Sequence, residues 1–337
     1  YRVTDTEGGR RGKLNPAAAE VRSAVSGFAD RNLVSDGALV LVALSGGADS
    51  LALAAATRFV AAQRGFRAGS IVVDHGLQSD SATVAERAAG AARALGLDPV
   101  EVVQAVVGTE GGPEAAARNA RYAALRLAAE RLGAAVVLTG HTRNDQAETV
   151  LLGLARGSGP GSLRGMSEFE GGIGRPLLDV TRETTRAAAL AEGLDPWDDP
   201  HNSDERFTRV RVRHTVLPVL DAELGPGIVD ALARTANLVR DDDDALDLLA
   251  AGMAHQVLGE NPVSFAATDV ASRPRALRTR IIRIAAKRAW GTTLTPVQTH
   301  AIDALLVDWH GQGALDVTGG SVVRHDGRVV FTPASED

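Results

Sequence analysis

The chain has 337 residues and no cysteine. That excludes a disulfide framework, a thiolate metal site, an iron–sulfur cluster and persulfide chemistry built on its own thiols. Lysine occurs only at positions 13 and 287, so nearly all the positive charge is arginine. Arginine suits bidentate phosphate contacts and stacking, although a bias towards Ala, Gly and Arg also follows from a GC-rich genome. No apolar run approaches the roughly 20 residues that span a bilayer. The opening residues, YRVTDTEGGRRGKLN, lack the apolar segment of a signal peptide. No membrane partner is expected, and the simplest location is the cytoplasm. The net charge of −6 does not resemble that of a general nucleic-acid binder, but a net negative charge can hide a local basic cluster.

The chain is organised around Leu39–Ala54, LVLVALSGGADSLALA. An apolar run of the kind a buried parallel strand needs breaks at Ser45-Gly46-Gly47-Ala48-Asp49-Ser50 and resumes as a small-residue helix. Adjacent glycines let the backbone approach a ligand closely. A helix starting there offers free N–H groups and a positive dipole end to phosphate. Ser45 and Ser50 add hydroxyls. Asp49 would meet phosphate only through a bridging cation such as Mg²⁺. The kinase-type loop, which ends in Gly-Lys-Ser/Thr, is absent. The plainer alternative is a glycine turn joining strand to helix.

Strand and helix patterns alternate through the first two-thirds. Strands are expected at 39–44, 68–74, 100–107 and 135–139, with helices at 50–64, 81–95, 113–132 and 144–155. Such βα units imply α/β architecture, a parallel sheet with helices on both faces, and ligands at the carboxyl ends of its strands. Ser45–Ser50, Asp74-His75 and Gly140–Asp145 fall there. Beyond residue 215 the pattern becomes helical (228–258, 275–290, 296–309), and 313–333 reads as a small antiparallel hairpin set split at Gly319-Gly320 and Asp326-Gly327. The expected organisation is a disordered arm over 1–20, a nucleotide-binding domain over 21–218, and a smaller C-terminal α+β domain over 219–337. The acidic run Asp241–Asp244 reads as a solvated helix face or a break between helices.

Three further stretches carry candidate chemistry. In Gly140–Thr149, His141 sits at a strand end, and Asp145 and Glu148 share a helix face. Taken alone those acids are better explained by capping, with Asn144 or Asp145 as N-cap and Glu148 in the capping box; the polar strand ends beside a phosphate loop favour the functional reading. Glu114 and Arg118 are spaced for an intrahelical ion pair, while Arg121-Tyr122 could hold RNA phosphate and stack a base. Arg206, Arg209, Arg211 and Arg213 are dense for a buried segment. In a strand, 209, 211 and 213 would form one basic stripe for phosphates. The alternative is exposed arginines paired with the preceding aspartates.

SGGADS resembles the PP-loop of ATP pyrophosphatases, which cleave ATP between its α and β phosphorus atoms. With VDHGL, EAAARNARY, TGHTRNDQAETVLLGLARGSGPGSLRGM, RPLL and DPHNSDERFTRVRVRHTVLP, in this order over residues 38–218, the chain resembles the tRNA(Ile)-lysidine synthetase family. Val210 departs from the pattern, standing where the family usually has asparagine. The resemblance implies a carbon–nitrogen ligase that acts on the wobble cytidine of a CAU-anticodon isoleucine tRNA, using ATP, Mg²⁺ and free L-lysine. Cytosine O2 attacks the α-phosphate and releases pyrophosphate. The lysine ε-amine then attacks the adenylated C2 and releases AMP. Lysidine pairs with A rather than G, changing reading from AUG to AUA and charging from Met to Ile.

The resemblance also implies roles. Ser45, Gly46, Gly47, Ala48, Asp49 and Ser50 would hold pyrophosphate, with Asp49 on Mg²⁺, and Asp74 and His75 would line the nucleotide pocket. Asp145 and Glu148 would bind and deprotonate the lysine amine, with His141 orienting or shuttling the proton. Arg209 would stabilise phosphate charge, and Arg118, Arg121, Arg206, Arg211 and Arg213 would hold RNA. The C-terminal domain would grip the rest of the tRNA, and homodimerisation stays open. The rivals are a thiolating PP-loop tRNA enzyme, disfavoured by the missing cysteines, an amidating PP-loop enzyme acting through an adenylated intermediate, and a non-catalytic nucleotide- or RNA-binding module.

Overall fold

The structure is a computed structural model describing residues 15–74, 76, 81–105, 108, 113–157, 159–199 and 203–334, with the backbone alone described at 113–115 and 160. The chain divides into two compact units, one ending at Asn237 and the other beginning at Leu238. Of the expected N-terminal arm, residues 1–14 lie outside the described residues, and Pro16 onward is helix. Asn15 caps α1 (Pro16–Arg31) by accepting from the N–H of Ala17, with proline at the first helical position.

In the first unit α1 is followed by β1 (Leu39–Ala43), α2 (Ala48–Arg64), β2 (Arg67–Asp74), α3 (Ser81–Ala94), β3 (Val100–Gln104), α4 (Pro113–Leu132), β4 (Val136–Leu138) and α5 (Arg143–Arg156). Then come α6 (Pro160–Leu163), β5 (Phe169–Glu170), β6 (Ile173–Gly174), α7 (Arg182–Ala191), α8 (Thr208–Arg211), a π-helical turn (Val212–Val216) and α9 (Leu217–Leu224). The sheet order is β3-β2-β1-β4-β6-β5, parallel except for β5 against β6. The expected parallel sheet with helices on both faces is therefore present. β1 is buried throughout because both faces are covered. Val40, Val42, Val136 and Leu138 face α1, α2, α3 and α7; Leu39, Leu41 and Val137 face Leu125 and Ala128 of α4.

Residues 209–213 are not a strand, so the condition for one basic stripe is not met. Thr208–Arg211 is helical and continues into the π turn, where the Leu217 N–H reaches back to the Val212 carbonyl. The next residue, Pro218, has no N–H to donate to an ordinary helical ladder. Val210 and Val212 are buried, and Val212 packs with Ala147 and Leu217 against α5.

The division between units falls within α10 (Ile228–Val257). The second unit continues through β7 (Gly259–Glu260), β8 (Val263–Ala266), α11 (Ala267–Ala271), α12 (Arg275–Trp290), α13 (Pro296–Val307), β9 (Leu315–Val317), β10 (Gly320–His325) and β11 (Arg328–Pro333). Its antiparallel sheet runs β7-β8-β11-β10-β9. Asp326 and Gly327, both with positive φ, make the two-residue turn expected between β10 and β11. Strands β7 and β8 were not anticipated. Of the acidic run, Asp243 is buried and pairs with Arg280. Among the described residues no group of three or more His, Cys, Asp or Glu is placed to hold a metal, and no helix is long and apolar enough to cross a membrane.

Candidate active site

At the end of β1 the chain turns at Ser45-Gly46-Gly47 into α2. Gly46 has φ +83°, a conformation open to glycine. Gly47 is the N-cap and, having no side chain, makes no cap bond to the first N–H groups of α2. The buried Ser50 hydroxyl donates to the Gly47 carbonyl (3.0 Å) and accepts from the Ser45 N–H (3.2 Å), which braces the loop from within. Ser45 is exposed. The loop is also held from outside: the Trp197 N–H donates to the Gly46 carbonyl at 3.0 Å.

A cavity of about 540 Å³ opens over this loop, lined by Ser45, Gly47, Ala48, Asp49, Arg121, His141, Asp145, Arg182, Trp197 and Arg213 among others. A narrower cavity of about 90 Å³ shares Ser45, Arg121 and Trp197 with it and runs between Ile71–Asp74 and Val84-Ala85. Asp74 is buried at the end of β2 and accepts from the Gly76 N–H. His75 lies outside the described residues.

The N-terminus of α5 forms the far wall. Its cap is Thr142, not Asn144 or Asp145 as expected, and Asp145 rather than Glu148 closes the capping box. Asp145 Oδ2 accepts from the Thr142 N–H and hydroxyl, both at 2.8 Å, and Oδ1 accepts from Arg182 at 3.0 Å. Burial opposes ionisation of Asp145, but Arg182 and Arg209 outweigh it and hold the carboxyl well below the usual range. Glu148, one turn on, is 0% exposed. Its oxygens are taken by Arg209 Nε (2.7 Å), Arg213 Nε (2.7 Å) and Arg182 Nη2 (3.2 Å). Asp49, Asp145 and Glu148 thus face Arg182, Arg209 and Arg213, three charges against three.

Burial pushes the Asp49 carboxyl up to about 6, against the lowering effect of a hydrogen bond from Thr185. Burial pushes His141 down to about 3, aided by nearby arginines, so its imidazole is neutral at pH 7; its Nδ1 lies 2.9 Å from the Thr139 hydroxyl. Gly140 lets this strand end approach the loop. A Cβ there would stand 3.0 Å from the Asp49 carbonyl carbon and the Ser50 nitrogen. Gly140→Ala is therefore expected to cost about 1–3 kcal/mol and to displace the loop, measured by thermal unfolding together with ATP turnover.

The structure brings together Ser45–Ser50, Arg121, His141, Asp145, Glu148, Arg209 and Arg213. Asp74 lines the adjoining narrow cavity, while Arg118, Arg206 and Arg211 lie apart. Arg118 is exposed, its guanidinium 5.1 Å from the Tyr122 ring. Arg206 is exposed and pairs with Asp204, and Arg211 turns back onto the Glu205 and Arg206 carbonyls. There is no single basic stripe: Arg209 and Arg213, four apart on a helix, point at Glu148 while Arg206 and Arg211 point away. Sequence reasoning missed Arg182, Thr185 and Trp197. The local signal was Thr181-x-x-Thr184, a helix start, which says nothing of the partners across the fold.

Loop, sheet order and cavity together define a PP-loop ATP-binding domain. A family model described as a PP-loop domain matches residues 20–220, and one described as a TilS substrate binding domain matches 266–330. The tRNA(Ile)-lysidine synthase of Leifsonia xyli subsp. xyli is 54% identical over 303 residues, 89% of this chain and 91% of that protein. That of Thermobifida fusca is 54% identical over 320 residues, 94% of this chain and 98% of that protein. The chain belongs to the tRNA(Ile)-lysidine synthase family. Among solved structures, the U34-tRNA thiolase NcsA of Methanococcus maripaludis with its 4Fe-4S cluster aligns over 66% of this chain and 80% of its own (TM-score 0.56, 17% identity), a likeness of fold alone.

Proposed function

We propose that this chain uses ATP to join free L-lysine to C2 of the wobble cytidine of a CAU-anticodon isoleucine tRNA, giving lysidine, AMP and pyrophosphate. The carrying observation is one cavity lined by a lysine-free phosphate loop and, opposite it, a neutralised carboxylate–arginine cluster. The loop takes the β- and γ-phosphates on the start of α2. The narrow cavity ending at Asp74 suits the base and ribose of ATP.

Mg²⁺ fits the donor set. Asp49 is the loop's one carboxylate, and Mg²⁺ is commonly held by one or two carboxylates with substrate phosphates completing its shell. Bound there it would neutralise phosphate charge. Arg182 and Arg213 face the same cavity and stabilise charge developing on the α-phosphate when cytosine O2 attacks it.

The lysine amine requires a different division of roles from simple acid–base catalysis by Asp145 and Glu148. Asp145 is ionised far below neutral pH, so it is a weak base, but it is a permanent anion at the cavity wall and suits an ammonium. Glu148 is enclosed by guanidiniums and serves as their counter-ion. Neutral His141 orients the groups beside it. Exposed Arg118 meets RNA phosphate directly, whereas Arg206 and Arg211 do so by giving up their contacts with Asp204 and with the Glu205 and Arg206 carbonyls, and Arg121 lines the cavity. We assign ATP chemistry to the domain over 21–218, tRNA grip to the region over 219–337, and the cytoplasm as the place of action.

The test is AMP formation from ATP with two isoleucine tRNAs differing only in a CAU or GAU anticodon. AMP with the CAU form alone supports the reading. AMP formed equally without RNA overturns it in favour of a small-molecule amidating enzyme.

A further inference from the structure

We infer that Thr185, on α7, is a positioning residue for the reaction: it fixes the carboxylate of Asp49 in the PP-loop. The inference rests on the reading of Asp49 as the loop's phosphate-and-metal group.

Among the described residues Thr185 Oγ1 is the hydrogen-bond donor to the Asp49 carboxylate, through Oδ1. Arg182 Nε approaches Oδ2, but at 3.9 Å it is outside hydrogen-bond range. A carboxylate pushed out of water needs a donor, and a free rotamer would let it turn away from the phosphates. Thr185 Oγ1 also lies 2.8 Å from the Arg182 carbonyl. A hydroxyl has one proton, and the charged acceptor makes the stronger bond. Oδ1 is thereby occupied, and the carboxylate is held in one orientation where Asp49 lines the cavity.

The donor itself is buried and tied into the fold. Thr185 is 0% exposed. The start of α7 is capped by Thr181, and the Arg182 N–H donates to Asn144 Oδ1 at 3.0 Å. Ala188 and Ala189 of α7 lie in the same core as Leu51 and Leu53 of α2. Downstream, Trp197 holds the Gly46 carbonyl. The segment from Thr181 to Trp197 therefore grips the PP-loop at both the turn and the aspartate, while the Gly140 backbone closes its other side.

The test compares T185V, which keeps shape and loses the hydroxyl, with T185S, which keeps the hydroxyl and loses a methyl. With CAU-anticodon tRNA, T185V is expected to lower kcat for AMP formation by about 10- to 100-fold with KM for tRNA within about twofold of wild type, and T185S to stay within about threefold in kcat. A thermal-unfolding cycle of T185V, D49A and the double variant, without nucleotide, supplies a readout independent of turnover. Acting through Asp49 predicts that the double variant melts above the sum of the two single shifts. Equal kcat for T185V and T185S, or additive melting shifts, overturns the inference. D49A with wild-type AMP formation would instead overturn the reading of Asp49 on which it rests.

Discussion

Glu148→Ala is expected to be the most destabilising single change in the first unit. It removes the carboxylate that Arg182, Arg209 and Arg213 share inside the fold. Taking one partner from a buried ion cluster typically costs about 3–5 kcal/mol, because the remaining charges stay desolvated without a counter-ion. The three arginine side chains are each 22–26% exposed, so water can reach them in part, which favours the lower end. At roughly 2–4 °C per kcal/mol for a unit of this size, the melting temperature should fall by about 6–12 °C. Moderate salt should do little to restore it, since a buried cluster is poorly screened. Differential scanning calorimetry checks this, and a loss below about 1 kcal/mol would show that the cluster is not the anchor of the α8–π segment. AMP formation should fall as well, because Arg213 would lose the bond that aims it into the cavity.

Asp49→Asn is expected to separate stability from activity. In the nucleotide-free protein the Asp49 carboxyl is raised to about 6 from an ordinary value near 3.8. Between those values the folded protein keeps a proton that the unfolded chain has released. Stability from this group therefore falls as pH rises from about 4 through 6, and above 6 it is a fixed liability. The neutral amide removes that liability, and Asp49 is only partly exposed, so Asp49→Asn should stabilise the protein at pH 7.5 by about 1–2 kcal/mol. The gain should disappear when melting is measured at pH 4. AMP formation should fall by about 10²-fold or more, the scale for losing a charged group at a phosphate site. Unchanged activity with raised stability would remove Asp49 from the chemistry.

The parts legible in the sequence were those with local signatures. SGGADS between an apolar strand and a small-residue helix carried the loop. The run of βα units carried the sheet, and Asp326-Gly327 carried the hairpin turn. Site residues that depend on distant partners were not legible. Thr185 lies 136 residues from Asp49, and Arg182 lies 37 from Asp145. Neither distance leaves a trace in local periodicity. The arginine run stays ambiguous in sequence because its spacing satisfies two periods: 209, 211 and 213 fit a strand, while 209 and 213 fit a helix. What decides between them is Glu148, a buried anion 61 residues earlier that both arginines must reach. The α5 cap was misplaced for a related reason. Thr142, Asn144 and Asp145 are all competent caps, but Asn144 accepts from the distant Arg182 N–H and Asp145 turns back onto Thr142.

The proposed reaction joins ATP cleavage to lysine transfer onto RNA in one cavity. The most direct measurement is a single-turnover reaction with isotopically labelled lysine, CAU-anticodon isoleucine tRNA and ATP, followed by nucleoside analysis of the digested RNA. One label per AMP formed, all of it in the nucleoside from the wobble position, is the expected result. AMP without label in the RNA, or label at another nucleoside, would contradict it.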